Sequence, residues 1–140
     1  EFRRVLFRSG LVMKVAKANV VPGGKFHYLM TNEPDAEQEF EMWGAFDYLE
    51  VDPHQRIVFV NYFSNAAGEK TRHFMNPDWP LEVKSTLTFV EDGDQTLIHL
   101  EGGPINALPH EEDLYYENLE SMRIGFSGTF AQLDDYLATR

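Results

Sequence analysis

Tyr115-Tyr116-Glu117-Asn118-Leu119-Glu120-Ser121-Met122-Arg123-Ile124-Gly125-Phe126 is the stretch from which the fold can be read. Tyr115, Leu119, Met122 and Phe126 step by three or four residues, and the series runs on through Phe130, Leu133 and Leu137. That spacing places apolar side chains on one face of an α-helix. Pro109 near the start, with Glu111, Glu112 and Asp113 in the first turn, suits a helix N-terminus, where a fixed φ and negative charge are both favourable. The predicted helix over 111–137 is about 40 Å long at about 1.5 Å per residue. Gly125 and Gly128 inside it each cost about 1 kcal/mol relative to Ala. Close contact with a sheet, room for a ligand, or plain tolerance would each account for them.

The ninety or so residues upstream read as consecutive strands. A strand over 13–21 stops at Pro22-Gly23-Gly24, since Pro fixes φ and the Gly pair permits a tight turn. In 25–31, Phe26, Tyr28 and Met30 alternate with Lys25, His27 and Leu29. In 40–51, Met42, Gly44, Phe46 and Tyr48 alternate with Trp43, Ala45 and Asp47, and Gly44 suggests a bulge or a close backbone approach. Residues 56–63 are rich in β-branched and aromatic types. The polar stretch from Ser64 to Pro80 reads as a long loop, of the kind that is more often functional or mobile than incidental. Strands over 82–91 and 95–101 flank the hairpin turn Asp92-Gly93-Asp94, with Val83, Ser85, Leu87 and Phe89 on one side and Ile98 and Leu100 inward. Gly102 to Ala107 reads as a loop leading to the helix. The expectation is an α+β domain, a curved antiparallel sheet gripping one long C-terminal helix around an apolar interior.

Composition bounds the function. The 140 residues suit one domain with a real core, and 43% hydrophobic and 14% aromatic content argues against disorder. A net charge of −11 disfavours nucleic acid and anionic membrane surfaces, which both call for clustered Lys and Arg. With no Cys, thiolate chemistry and disulfides are excluded, which suits the cytoplasm. No apolar run approaches the roughly 20 residues that span a bilayer, and no signal-peptide pattern is evident. The His residues at 27, 54, 73, 99 and 110 show no metal-ligand spacing, and no nucleophile elbow, P-loop or dinucleotide fingerprint occurs. Neither a metal nor a cofactor is expected. Gly102-Gly103 reads as a turn, Glu111-Glu112 and Asp134-Asp135 as solvated helix-end acids, and Glu82 as a sheet-edge carboxylate. Arg72 and His73 in the long loop are either exposed or placed to meet an anionic group.

The best candidate site residues are those facing the helix: Phe26, Tyr28, Phe46, Tyr48, Phe59, Ser85, Phe89, Met122 and Phe126. Each has an ordinary alternative as packed core. A concave, mostly apolar interior with a few polar groups, here Tyr28, Tyr48 and Ser85, is what a small-molecule site requires.

Residues 1–9, Glu1-Phe2-Arg3-Arg4-Val5-Leu6-Phe7-Arg8-Ser9, fit poorly with this acidic domain, carrying a net +2 and no initiator Met. Arg-Val-Leu-Phe-Arg-Ser is what a common sequencing-adapter end gives when translated. We expect 1–9 to be a non-native segment joined to a truncated domain over 10–140, the alternative being a native basic strand.

Several segments together carry a family resemblance: Val21-Pro22-Gly23-Gly24-Lys25-Phe26, Met42-Trp43-Gly44, 51–59, Trp79-Pro80-Leu81-Glu82, Gly102 to Ala107, and Met122 with 125–133. In order and type they resemble the START-like SRPBCC superfamily, in the branch named after the activator of heat-shock-protein-90 ATPase homologue. The resemblance implies a helix-grip fold and a cytoplasmic domain that binds a small hydrophobic molecule in the cavity between sheet and helix, without catalysis. A cyclase- or hydrolase-like activity in the same cavity, or a co-chaperone-type ATPase regulator, are the alternatives it carries. Two departures stand out. The strand and two short helices with which members begin have no counterpart here, and Leu108 stands where members offer a capping Ser or Thr, a bond worth about 1 kcal/mol.

Overall fold

The computed structural model describes residues 11–32 and 37–140. The proposed non-native segment 1–9 lies outside the described residues. Six strands, β1 (Leu11–Ala18), β2 (Lys25–Asn32), β3 (Glu41–Asp52), β4 (Arg56–Phe63), β5 (Glu82–Asp92) and β6 (Gln95–Ile105), precede α1 (Pro109–Glu117) and α2 (Leu119–Ala138). The strands form one antiparallel sheet in simple sequence order. Short turns join β3 to β4 and β5 to β6, whereas β4 and β5 pair across the long loop between Phe63 and Glu82.

Register assembles the helix-side face that alternation predicts. Phe26 lies opposite Phe46, which lies opposite Asn61, and Tyr48 lies opposite Phe59, which lies opposite Ser85. Ser85 lies opposite Gly102, and Leu87 opposite Leu100. Phe26, Tyr48 and Phe59 are the buried centre of this face, flanked by Met13, Tyr28, Phe46, Ile57 and Leu87. The Phe46 and Phe59 rings stack at 4.5 Å, and Phe26 meets Phe46 edge-on at 5.5 Å, geometries that aromatic quadrupoles favour. The opposite face buries Ala45, Val60 and Tyr62. There the Tyr62 hydroxyl accepts from Lys25 at 2.7 Å and donates to Asp47 at 3.0 Å.

Gly44 is not at a bulge, since the register runs through it without a shift. The close approach is the correct alternative, because a Cβ at Gly44 would sit 2.4 Å from the Tyr28 hydroxyl directly across the strand pair. Shifts in register occur instead between Tyr48 and Glu50, and between Met13 and Val15.

Four expectations are corrected. The first strand ends at Ala18, three residues early, because the Asn19 N–H and the Gly24 N–H already close turn hydrogen bonds there. Gly102 and Gly103 are not a turn but part of β6, which runs on to Ile105, and Pro104, which cannot donate, is tolerated because β6 is an edge strand. The long helix is two helices. Asn118 interrupts it with φ −100° and ψ 10°, and its side-chain amide donates to the Leu114 carbonyl at 2.8 Å, competing with the helical ladder as Asn side chains do. Finally, Glu111 is not solvated but only 4% exposed. It does what Leu108 cannot: its Oε2 accepts from the Leu108 N–H at 2.8 Å, completing the half of a capping box that needs no hydroxyl.

Candidate functional site

Between the helix-side face of the sheet and the two helices lies a cleft of about 640 Å³. Its floor comes from alternate positions of three strands: Asn61 and Phe63 of β4, Val83 and Ser85 of β5, and Ile98, Leu100 and Gly102 of β6. Its roof is Tyr115 and Asn118 at the end of α1, then Leu119, Met122, Phe126 and Phe130 of α2, with Ser121, Arg123 and Ser127 between them. His73 and Trp79 of the long loop form one wall. The 3.6-residue period of α2 brings Met122, Phe126 and Phe130 to one side, and the two-residue period of the strands supplies the other. No residue of α2 is buried, and Phe126 remains 44% exposed. The apolar face of α2 therefore lies over open space instead of closing onto the sheet.

The loop wall is tied down at both ends of its contact. Trp79 meets the buried Tyr115 ring at 5.5 Å. Arg72 pairs with Glu111 and donates to the Trp79 carbonyl at 3.3 Å. The Leu108 N–H and then the Arg72 guanidinium hold the Glu111 carboxyl below its ordinary value, while burial pushes the Tyr115 phenol up, keeping it neutral. His73 packs edge-on against Phe63 at 4.5 Å and stacks on Phe74 at 5.1 Å. Its Nδ1 accepts from the N–H groups of Met75 at 3.0 Å and Asn76 at 3.2 Å, which places the ring proton of the neutral form on Nε2.

Of the nine residues expected to line a site, Ser85, Met122 and Phe126 border this cleft. Phe26, Tyr28, Phe46, Tyr48 and Phe59 share the same face of the sheet but pack with one another in the aromatic cluster beside it. Phe89 lies further along β5, near the β5–β6 turn, half-buried. Asn61, Trp79, Leu100 and Phe130 were not singled out as site residues. Asn61 had a readable signal, as the one polar member of the series Ile57, Phe59, Asn61, Phe63. Trp79 had none, because loop geometry has no period. Among the described residues no group of His, Asp and Glu is arranged to hold a metal ion.

A family model described as Activator of Hsp90 ATPase homolog 1-like protein matches residues 6–138. The chain belongs to this Activator of Hsp90 ATPase homolog 1-like family. No curated protein matches it at a significant level. Among solved structures, protein Ms6760 from Mycobacterium smegmatis is 22% identical, with a TM-score of 0.71 over 97% of this chain and 75% of that one. A protein from Staphylococcus epidermidis solved by NMR is 21% identical, with a TM-score of 0.71 over 99% of this chain and 75% of that one. Protein NE0264 from Nitrosomonas europaea is 16% identical, with a TM-score of 0.67 over 99% and 79%. At these identities the likeness establishes the helix-grip fold alone. Among the described residues no helix is long and apolar enough to cross a membrane.

Proposed function

We propose that this Activator of Hsp90 ATPase homolog 1-like domain binds a small hydrophobic molecule in the cleft between its sheet and α2, acting as a binding domain in the cytoplasm. The observation that carries the reading is the unfilled space of about 640 Å³ beneath Met122, Phe126 and Phe130, within the range of small-molecule sites. A helix whose apolar face existed only for packing would close that space, since protein interiors are dense. The cysteine-free composition suits the compartment. The cyclase- or hydrolase-like alternative has His73 in the wall but no carboxylate among the described lining residues. A partner-binding role draws on a different feature, the exposed Phe40, Phe74 and Met75, of which Phe40 and Phe74 stack at 6.0 Å.

An uncharged apolar dye such as Nile red tests the reading. Saturable binding with one site is expected, weakened about tenfold or more by Phe126→Ala. Because Phe126 is half-exposed, the same change should cost about 1 kcal/mol of stability, well below the 3–5 kcal/mol of a packed Phe. Absence of saturable binding, or binding indifferent to Phe126→Ala, would overturn it.

A further inference from the structure

On the floor of the cleft the polar side chains are those of Asn61 and Ser85, among Phe63, Val83, Ile98 and Leu100. Ser85 is only 7% exposed, borders the cleft, and its hydroxyl has no hydrogen-bond partner among the described residues. Asn61 borders the cleft as well, and its side-chain amide is likewise without a partner. The register sets Phe59 opposite Ser85 and Asn61 opposite Val83, so the two polar side chains are diagonal neighbours on one face, about 7–8 Å apart at the backbone. A single oxygen atom between them is within reach of both. The residue opposite Ser85 on the next strand is Gly102, where a Cβ would lie 2.9 Å from the Ser85 hydroxyl oxygen and 2.8 Å from the Lys84 carbonyl oxygen. Glycine there keeps the space above the hydroxyl open to the cleft. Around the pair stand Phe63, Val83, Ile98 and Leu100 below and Met122 and Phe126 above.

An oxygen seated over the pair gives both side chains a hydrogen-bond partner that the described residues do not supply, at a site lined by apolar residues where such bonds are stronger than in bulk water. We propose that Asn61 and Ser85 are the polar anchor of the cleft, and that its ligand is an otherwise apolar molecule carrying one uncharged oxygen, a ketone or a hydroxyl, seated over them. This rests on the reading of the cleft as a ligand site. The anchor selects an uncharged group because both of its side chains are neutral. Among the described residues the guanidinium that borders the cleft is that of Arg123, already paired with Glu120, the two groups meeting at 2.7 Å and 3.0 Å on the exposed side of α2.

Three naphthalenes of matched size separate the possibilities: 2-acetylnaphthalene, 2-ethylnaphthalene and 2-naphthoate, titrated against the full chain by competition with Nile red. The ketone should bind about tenfold tighter than the ethyl compound and tighter than the carboxylate. In Ser85→Ala/Asn61→Leu that preference should fall to twofold or less, while the ethyl compound binds at least as well as before, which also reports that the cleft is intact. Equal binding of ketone and ethyl compound by the unaltered chain would overturn the anchor and leave the cleft reading standing. Tightest binding of the carboxylate would overturn the uncharged class. Failure of all three to displace the dye would overturn the cleft reading together with the anchor. The comparison within the unaltered chain decides the matter even where the double variant does not fold.

Discussion

Two glycines of this chain have opposite meanings, and a single added methyl group distinguishes them. At Gly44 the ring of Tyr28 occupies the place a Cβ would take, and that ring is held by Phe26 at 5.1 Å and Phe46 at 5.8 Å. Gly44→Ala should therefore destabilise the protein by about 1–3 kcal/mol, the cost of overpacking a filled site. At Gly128 nothing lies within 4 Å of the added Cβ, so Gly128→Ala should stabilise the helix by about 1 kcal/mol. Urea unfolding of both variants checks the pair; the same sign for both would show that the space around one of them has been misjudged. The sequence showed that each glycine was out of place in its element, because glycine is an unfavourable residue in strand and helix interiors. It did not show which of them had a neighbour, since that neighbour is brought in by strand pairing. Ser85, Met122 and Phe126 were legible as residues of one interior because their periods are local. Asn61 was overlooked among its aromatic neighbours although its period was equally plain.

At the scale of elements, the connection between the long loop and α1 was the least legible feature. Glu111 and Arg72 are 39 positions apart, and an acid in the first turn of a helix is ordinarily solvated, so nothing local marks it as buried. The contact fixes the loop that carries His73 and Trp79 against the start of the helix that carries Tyr115. Because the Glu111 carboxyl titrates below its ordinary value in the fold, its contribution is complete above the unfolded value of about 4.3 and is lost as the pH falls through the folded value. Glu111→Gln should cost about 1.5–3 kcal/mol at pH 7, the range for hydrogen bonds to charged groups. The deficit should shrink as the pH is lowered below about 4. A difference between wild type and variant that is constant from pH 7 to pH 3 would contradict the role given to the carboxylate. The break at Asn118 was also missed, for a related reason: its apolar neighbours keep the helical period on both sides, while the end of the first helix is marked by the amide-to-Leu114 hydrogen bond and by the Asn118 N–H turning to the Tyr115 carbonyl.

At the scale of the molecule, the described residues form a six-stranded sheet whose helix-side face is divided into two parts. One part, around Phe26, Tyr48 and Phe59, is filled by its own aromatic side chains; the other, toward β5 and β6, is left open beneath α2. The antiparallel sheet and the closing helix followed from sequence because the two-residue and 3.6-residue periods are local. The division of the face did not, since period reports which side a residue takes and not how far away the opposing layer stands. The central claim is that the open part is a ligand site, and the five methionines allow it to be tested at atomic resolution. Met122 borders the cleft, Met13 flanks the aromatic cluster and Met75 is exposed on the loop. Methyl NMR of the protein labelled at methionine, titrated with 2-acetylnaphthalene, should shift the Met122 signal saturably while those of Met13 and Met75 hold still. A titration in which Met122 is unmoved, or in which Met75 responds instead, would contradict the account.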